Sequence, residues 1–475
     1  MNAPVIHWFR RDLRLADNPA LAAALAGRAP LVAVFVLDDA TPGAWAPGGA
    51  SRWWLHGSLQ ALAADIDSLG GRLVLRRGES VAALTRLVDE TGAREVHWTR
   101  CYEPHARALD EALDAALGER VALHRHGGNL LFEPVAVRTA KDEPFRVFTP
   151  FWRACRRLPE PHRPLAAPTR IDFAPPPAAE RLEDWWLRPS APDWAAGLRE
   201  RWTPGERGAG ERLEHFAEAR VRDYEGLRDR PGAAGTSQLS PHLHFGELGP
   251  RQVWHRLRAA AAGAPGVESF LRELGWREFS HHILHHWPHV TDAPLNERFA
   301  RFPWRRDARA LRAWQRGGTG YPLVDAGMRE LWRTGWMHNR VRMVAASFLV
   351  KHLLLSWQEG AAWFWDTLVD ADLANNSASW QWVAGCGVDA APYFRVFNPV
   401  LQSRKFDAEG AYLRRWLPEL ARVPAKWIHE PWRAPQAVLD EAGVALGRDY
   451  PRPIVDHGAA RARALAAFEE VKAGD

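Results

Sequence analysis

Between Trp357 and Trp382 the chain reads WQEGAAWFWDTLVDADLANNSASWQW, a span that gathers indole rings, two carboxylates two residues apart (Asp370 and Asp372) and an Asn pair. A fold in need only of a core uses Leu, Ile and Val, which bury apolar area without an indole N–H that has to find a partner. Indoles are large, polarisable and oxidisable. A file of them can carry an electron, stack on a flat ligand, or do both.

Three further clusters have chemical promise. In FLRELGWREFSHHIL, Glu273, Trp276, Arg277 and Ser280 fall at i, i+3, i+4 and i+7, placing an acid, an indole and a guanidinium on one helical face. Taken alone, the same spacing suits a solvated Glu–Arg pair beside a half-buried Trp. TGWMHNRVRMVAASF puts Asn339, Arg342 and Met343 on one face, with Arg340 a turn from Met343; a helix start with surface arginines and a core Met has the same pattern. GTSQLSPHL, from Gly235 to Leu243, offers hydroxyls and free backbone N–H groups at a helix start, which suit a phosphate. It also predicts an ordinary N-cap at Ser240 before Pro241. HHILHH (His281, His282, His285, His286) has the i, i+4 spacing of zinc helices but lacks the HExxH general base, and no acid or thiol nearby completes a site. It predicts a polar helix face near the surface and no metal. No GxSxG, Walker loop or Cys–His signature is present, so covalent and phosphoryl-transfer catalysis have no visible apparatus.

The elements that must position these residues fall into two styles. Strands are predicted at Val5–Phe9, Leu31–Leu37, Leu73–Leu75, Glu95–Trp98 and Val121–His124, and helices between them at Pro19–Ala26, Trp53–Leu69, Val81–Thr91 and Ala106–Leu117. Such alternation predicts a parallel, Rossmann-like sheet covered on both faces. No GxGxxG follows the first strand, so the dinucleotide fingerprint is absent. Pro159 to Pro204 is rich in Pro and Ala and predicts an extended connection. From about Gly210 the patterns are helical. The expected organisation is an α/β domain over 1–130, a linker over 131–205 and a mostly α-helical domain over 206–475.

With 475 residues there is room for two sizeable cores, and 47% hydrophobic with 25% charged residues is a globular composition. A formal charge of +5 and a pI near 9.3 lean mildly toward polyanions, and the basic charge is mostly Arg, which suits bidentate phosphate contacts and ring stacking. Cys101, Cys155 and Cys386 lie far apart without a CxxC, which predicts free thiols in a reducing cytoplasm. MNAPVIHWFRRDLRL has no signal-peptide pattern, and the apolar run MVAASFLV is too short to cross a bilayer.

Eight blocks in order, WFRRDLRLADNPAL, VFTPFW, GTSQLSPHLHFGEL, ELGWREF, GYPLVDAGMREL, TGWMHNRVRM, DADLANNSASWQW and DAAPYFRVFNP, resemble the photolyase/cryptochrome flavoprotein family over nearly the whole chain. They are most similar to the class I cyclobutane pyrimidine dimer photolyases. The resemblance implies an N-terminal α/β antenna domain and a helical domain that holds FAD and opens to DNA. By motif, Tyr224 and Thr236, Ser237, Gln238, Leu239 and Ser240 would hold FAD phosphates and ribitol. Trp276, Asn339, Arg342, Asp370, Ala371 and Asp372 join the cofactor set, with Arg342 as the partner of Asp370, and Asn376 matches the amide that faces flavin N5. For DNA and its lesion the pattern maps onto Arg228, Glu273, Trp276, Arg277, Arg340, Met343 and Trp382. In this reading Trp276 and Trp382 are flat walls for fused pyrimidines, and Glu273 hydrogen-bonds a thymine edge. Trp380, Trp357 and Trp304 match the electron-transfer triad, with Trp314 competing for the outermost place.

The implied reaction is light-driven: reduced FAD gives one electron to the dimer, the cyclobutane ring splits and the electron returns. Photolyases are among the enzymes that flip their target out of the base stack. A monomer is expected. Two departures from the family pattern stand out: Gln238 replaces the Arg of familiar bacterial enzymes, and HVTDAPLNERF lacks the Cys that contacts folate, although Glu103 resembles the acidic folate contact. A methenyltetrahydrofolate antenna, an 8-hydroxy-5-deazaflavin antenna and none all stay open. A cryptochrome photoreceptor and (6-4) photoproduct repair are the alternatives. Asn376, Glu273 and the short tail after Phe468 argue against the first, and a missing lesion-pocket histidine in MHNRVRM against the second.

Overall fold

The computed structural model describes residues 3–393 and 395–473. The chain forms two compact units, one of Met1–Arg222, Ser237–Pro288 and Val369–Ala374, the other of Asp223–Thr236, His289–Leu368 and Asn375–Asp475.

The first unit opens with β1 (Val5–Phe9), α1 (Pro19–Ala26), β2 (Leu31–Leu37), α2 (Gly49–Ser68), β3 (Val74–Arg77), α3 (Ser80–Thr91), β4 (Glu95–Thr99), α4 (Pro104–Leu117) and β5 (Ala122–His126). All strands run parallel in the order β3-β2-β1-β4-β5. Every residue of β1 and β2 is buried, as expected where helices cover both faces of a sheet. One face packs Ile6, Trp8, Val34, Val96 and Trp98 against Leu84 and Leu87 of α3 and Leu109 and Leu113 of α4. Each fully buried leucine of this layer contributes about 1.5–3 kcal/mol. β3 and β5 run two residues past their predicted ends because the ladder continues through polar positions, Leu37 opposite Arg77 and Thr99 opposite His126. α2 begins four residues before its predicted start at Trp53, after Gly48, and α4 starts at Pro104.

A buried polar network shapes the turn after β1. Arg14 donates to the carbonyl oxygens of Asp17 (2.7 Å) and Gly246 (2.8 Å). Asp12 accepts from Thr99 (2.6 Å) and Asn18 (3.1 Å), and Asn18 caps α1 at Leu21 N (3.0 Å). Gly246 sits at φ +64°, and a Cβ there would collide with the Arg11 carbonyl. Glu247, wholly buried, accepts from Trp54 Nε1 (2.9 Å), Gly205 N (2.7 Å) and Ser58, and pairs with His242.

The proline-rich stretch lies along the sheet. Leu31 N donates to Asp172 O (2.8 Å), Ala174 N to Leu31 O (3.0 Å) and Glu180 N to Leu75 O (3.0 Å). Phe173 fills the space a side chain at Gly71 would need. Backbone groups that proline-rich sequence leaves without a helix are thereby satisfied.

In the second unit the described residues fold mostly as helices, among them Pro322–Thr334, Asn339–Ser347, Trp357–Thr367 and, continuing across from the first unit's last residues, Leu373–Ala384. Asp325, in the GYPLVDAGMREL block, is wholly buried and accepts from Thr319 N and Oγ, Gly320 N and Tyr450 OH. Among the described residues no helix is long and apolar enough to cross a membrane.

Candidate functional site

In the first unit the Gly235–Leu243 block ends in a short helix, Ser240–Phe245. Ser240 is not its N-cap: Leu239 holds that place without a side-chain bond, and Ser240 Oγ instead donates to Asp370 Oδ2 (2.6 Å). A charged acceptor outcompetes the local capping bond. Gln238 adopts φ +56° and accepts from Arg212 Nη1 (2.9 Å), so the residue that departs from the family pattern has a local partner.

Asp372 is buried with His281 Nε2 at 3.6 Å and His244 Nδ1 at 3.7 Å. Burial works against its charge, yet His281, His244 and Arg277 outweigh it and hold the carboxyl well below the usual range. Burial lowers both histidines, while Asp372 pulls them the other way. Arg11 lies against the His244 ring (2.8 Å) and Glu103 (3.3 Å). Glu103, resembling an antenna contact, is itself buried and held at about 2: burial opposes its charge, but Arg11 and His105 win.

The Pro265–His286 helix carries the Glu273 cluster. Trp276 is half-buried and stacks face to face on Phe148 of the VFTPFW block, centroids 3.7 Å apart and planes at 8°. Glu273, on the preceding turn, is partly exposed. Arg277, expected to meet DNA, turns inward: Nη1 donates to Asn129 O (2.7 Å) and the side chain is 14% exposed beside Glu278. Ser280 bonds back to Trp276 O. The histidine face is not the predicted surface: His281 and His282 are buried, and His282 accepts from Phe145 N (3.0 Å) with burial lowering it to about 3. The helix is packed on more sides than its polar sequence suggests, and only His285 and His286 are half-exposed.

In the second unit His338 caps the Asn339–Ser347 helix, accepting from Arg340 N (3.2 Å). Burial lowers His338 to about 4, which leaves it neutral with that lone pair available. Arg340 pairs with Asp229 (2.9 Å) and lies over Phe406 (4.5 Å). Arg342 Nε donates to Met337 O (2.7 Å), and Met343 and Trp382 are half-buried. Arg228 lies over the Tyr224 ring, 5.5 Å from its centroid. Asn376 is buried, and its Nδ2 donates to Ala361 O (3.1 Å). Next to it Ser377 Oγ is buried without a hydrogen-bond partner in the protein, a donor that a bound polar ligand would satisfy.

Trp380 and Trp357 are buried. Trp380 meets Phe364 edge-on at 5.0 Å and Trp314 at 6.3 Å, and Gly360 lies so close that a Cβ would run into the Trp380 ring. Trp314 is wholly buried and donates to Ala345 O (2.9 Å), whereas Trp304 is half-exposed against Phe302 (4.3 Å). Of the two competitors for the outermost place, Trp304 alone reaches solvent.

The sequence pattern of the FAD binding domain of DNA photolyase matches residues 270–470, and that of DNA photolyase matches residues 5–169. A deoxyribodipyrimidine photo-lyase of Agrobacterium fabrum is 49% identical over 475 residues, covering 99% of this chain and 98% of that one. The chain belongs to the photolyase/cryptochrome family. Within that family it is also 41% identical to cryptochrome-1 of Arabidopsis thaliana, over 98% of this chain and 70% of the plant protein. A solved bacterial class III photolyase from Agrobacterium tumefaciens superposes with TM-score 0.96 at 48% identity, over 99% of this chain and 98% of that one.

Sequence reasoning missed the partners that each unit supplies, namely Arg11, Phe148, His244 and His281 in the first and Asp229 in the second. Arg11, Phe148 and His244 lie inside three of the eight family blocks and His281 inside HHILHH, which was the signal the sequence offered; Asp229 had none.

Proposed function

We propose that the chain repairs cyclobutane pyrimidine dimers in DNA by light-driven electron transfer from reduced FAD. What carries this reading is the Glu273–Trp276 face: an indole locked flat by its stack on Phe148, with a partly exposed carboxyl one turn away. A fixed aromatic plane suits two fused pyrimidine rings, and a carboxyl beside it suits their imide edge.

The residues present fit the flavin. We assign to it Thr236, Ser237, Gln238, Leu239, Ser240, Trp276, Asp370, Ala371 and Asp372, together with Tyr224, Asn339, Arg342 and Asn376. When bound, reduced FAD supplies the single electron that opens the cyclobutane ring and takes it back. The protein's share is positional and electrostatic. Asp372, held well below the usual carboxyl range by His281, His244 and Arg277, sets a fixed negative charge, while Ser240 donates to Asp370. Asn376 has its amide N–H engaged with Ala361, which leaves Oδ1 as an acceptor and one further N–H for the ligand. Arg228 and Arg340 are assigned to phosphate contacts, with Met343 and Trp382 at the lesion; Arg277, which the resemblance also gave to DNA, donates to Asn129 O. Trp380, Trp357 and Trp304 are assigned to electron supply from solvent.

The cryptochrome likeness supports a second reading, a photoreceptor without repair. Protein with fully reduced FAD is incubated with an oligonucleotide bearing one cyclobutane thymine dimer, and dimer loss in blue light is followed against a dark control. Light-dependent loss that falls at least tenfold in Glu273→Ala, at unchanged FAD content, is expected. Binding without repair turns the assignment to the photoreceptor or to another lesion, and unchanged turnover in Glu273→Ala removes that residue from the reaction.

A further inference from the structure

Away from the residues assigned to flavin and DNA, the parallel register sets a row of histidines across the first unit's sheet: His7 of β1 opposite His97 of β4, and His97 opposite His124 of β5. Two residues along each strand, on the same face, stand Glu95 and His126. Glu95 Oε2 lies 3.2 Å from His97 Nε2 and 3.6 Å from His124 Nε2. Among the described residues this is the one group of three or more His, Cys, Asp or Glu whose ligand atoms all fall within 4.8 Å of one another.

We propose that Glu95, His97 and His124 bind a divalent first-row transition ion of the zinc class. Ligand atoms around tetrahedral zinc, at bonds of about 2.0–2.1 Å, stand roughly 3.3–3.4 Å apart, and the two approaches to Glu95 bracket that spacing. Two imidazoles and one carboxylate are a donor set for zinc, cobalt or nickel rather than for magnesium or calcium. His97 Nδ1 is 3.1 Å from His126 Nε2, an outer hydrogen bond that orients the ring and leaves Nε2 for the ion. Glu95 and His124 are 54% and 42% exposed, so an ion can enter from solvent and complete its coordination with water. His124 also stacks on His97, centroids 4.4 Å apart and planes at 30°, which holds the two rings side by side next to Glu95.

The test uses the flavin-loaded protein, stripped with EDTA, desalted and titrated with Zn²⁺ against a competing chromophoric chelator. His282 and His286 offer a rival i, i+4 pair, so His286→Ala is the control. One equivalent of Zn²⁺ that weakens at least tenfold in His124→Ala and in Glu95→Gln, and survives in His286→Ala, is expected. Equal affinity in His124→Ala, or loss in His286→Ala instead, overturns the site. Both ligand variants are checked for unchanged FAD absorbance and far-UV dichroism. Should either misfold, anomalous scattering from a zinc-soaked crystal decides: a peak within about 2.2 Å of all three side chains supports the site, and none overturns it.

Discussion

Glu278 offers a quantitative test of how the Pro265–His286 helix is held. Its side chain is wholly inside the fold, with Oε2 accepting from Leu131 N (2.9 Å) and Phe132 N (3.1 Å). Burial pushes this carboxyl up to about 7, against the pull of Arg277 and of those two backbone donors. The folded chain therefore binds the proton more tightly than the unfolded one. The resulting stabilisation is complete below the ordinary carboxyl value of 4.5 and is lost as pH rises through about 7. That difference, at about 1.36 kcal/mol per pH unit, comes to roughly 3.4 kcal/mol, of which about 2.5 kcal/mol falls between pH 5 and pH 8. Glu278→Gln keeps an acceptor oxygen for the two N–H groups and removes the titration. The variant should gain about 2.5 kcal/mol on the wild type over that interval. A chain of two compact units need not unfold in one step, so the reading is taken locally, from hydrogen exchange of peptides covering 131–132 and 265–286. A difference in opening free energy that does not change with pH would falsify the assignment of a proton to Glu278 near neutrality.

Gly360→Ala sets about 1 kcal/mol of helix propensity against about 1–3 kcal/mol of overpacking on Trp380. A small net destabilisation is expected, with slower light-driven reduction of bound FAD in the presence of a thiol; wild-type reduction kinetics would mean that the Trp380 position is immaterial. Arg340→Ala should lower the salt slope of binding to dimer-bearing DNA by about 0.9, read from dissociation constants at several salt concentrations; an unchanged slope assigns Arg340 to its Asp229 pair alone. Glu247→Ala strands Trp54, Ser58, Gly205 N and His242 and should cost on the order of 3–5 kcal/mol, measured as the opening free energy from hydrogen exchange of peptides covering 54–58 and 205. A loss under 1 kcal/mol would show that water replaces the carboxylate.

The parts of the molecule legible in sequence are those where one short window holds the whole cause. VIHWF and LVAVFVL are buried on both faces, and an uninterrupted apolar run is the direct mark of that, so β1 and β2 were readable to the residue. Strand ends were not, because Arg77 and His126 belong to the ladder through backbone pairing that a polar side chain does not disclose. The candidate site divides along the same line. Trp276, Asp370, Asp372 and Asn376 were singled out by residue type and motif. What holds them came from far along the chain: Phe148 under Trp276, His244 and His281 around Asp372, Asp229 on Arg340. Ser240 shows why local rules then mislead. Serine before proline at a helix start is a sound capping signal, and it fails here because a carboxylate 130 residues away is the better acceptor. The same competition explains HHILHH, whose polarity predicts solvent: His282 is buried with a backbone N–H of Phe145 as its partner, and His281 with Asp372. A buried polar side chain in this fold is thus a sign that a distant segment supplies its partner, and beside half-exposed His124 the partner proposed for buried His97 is an ion.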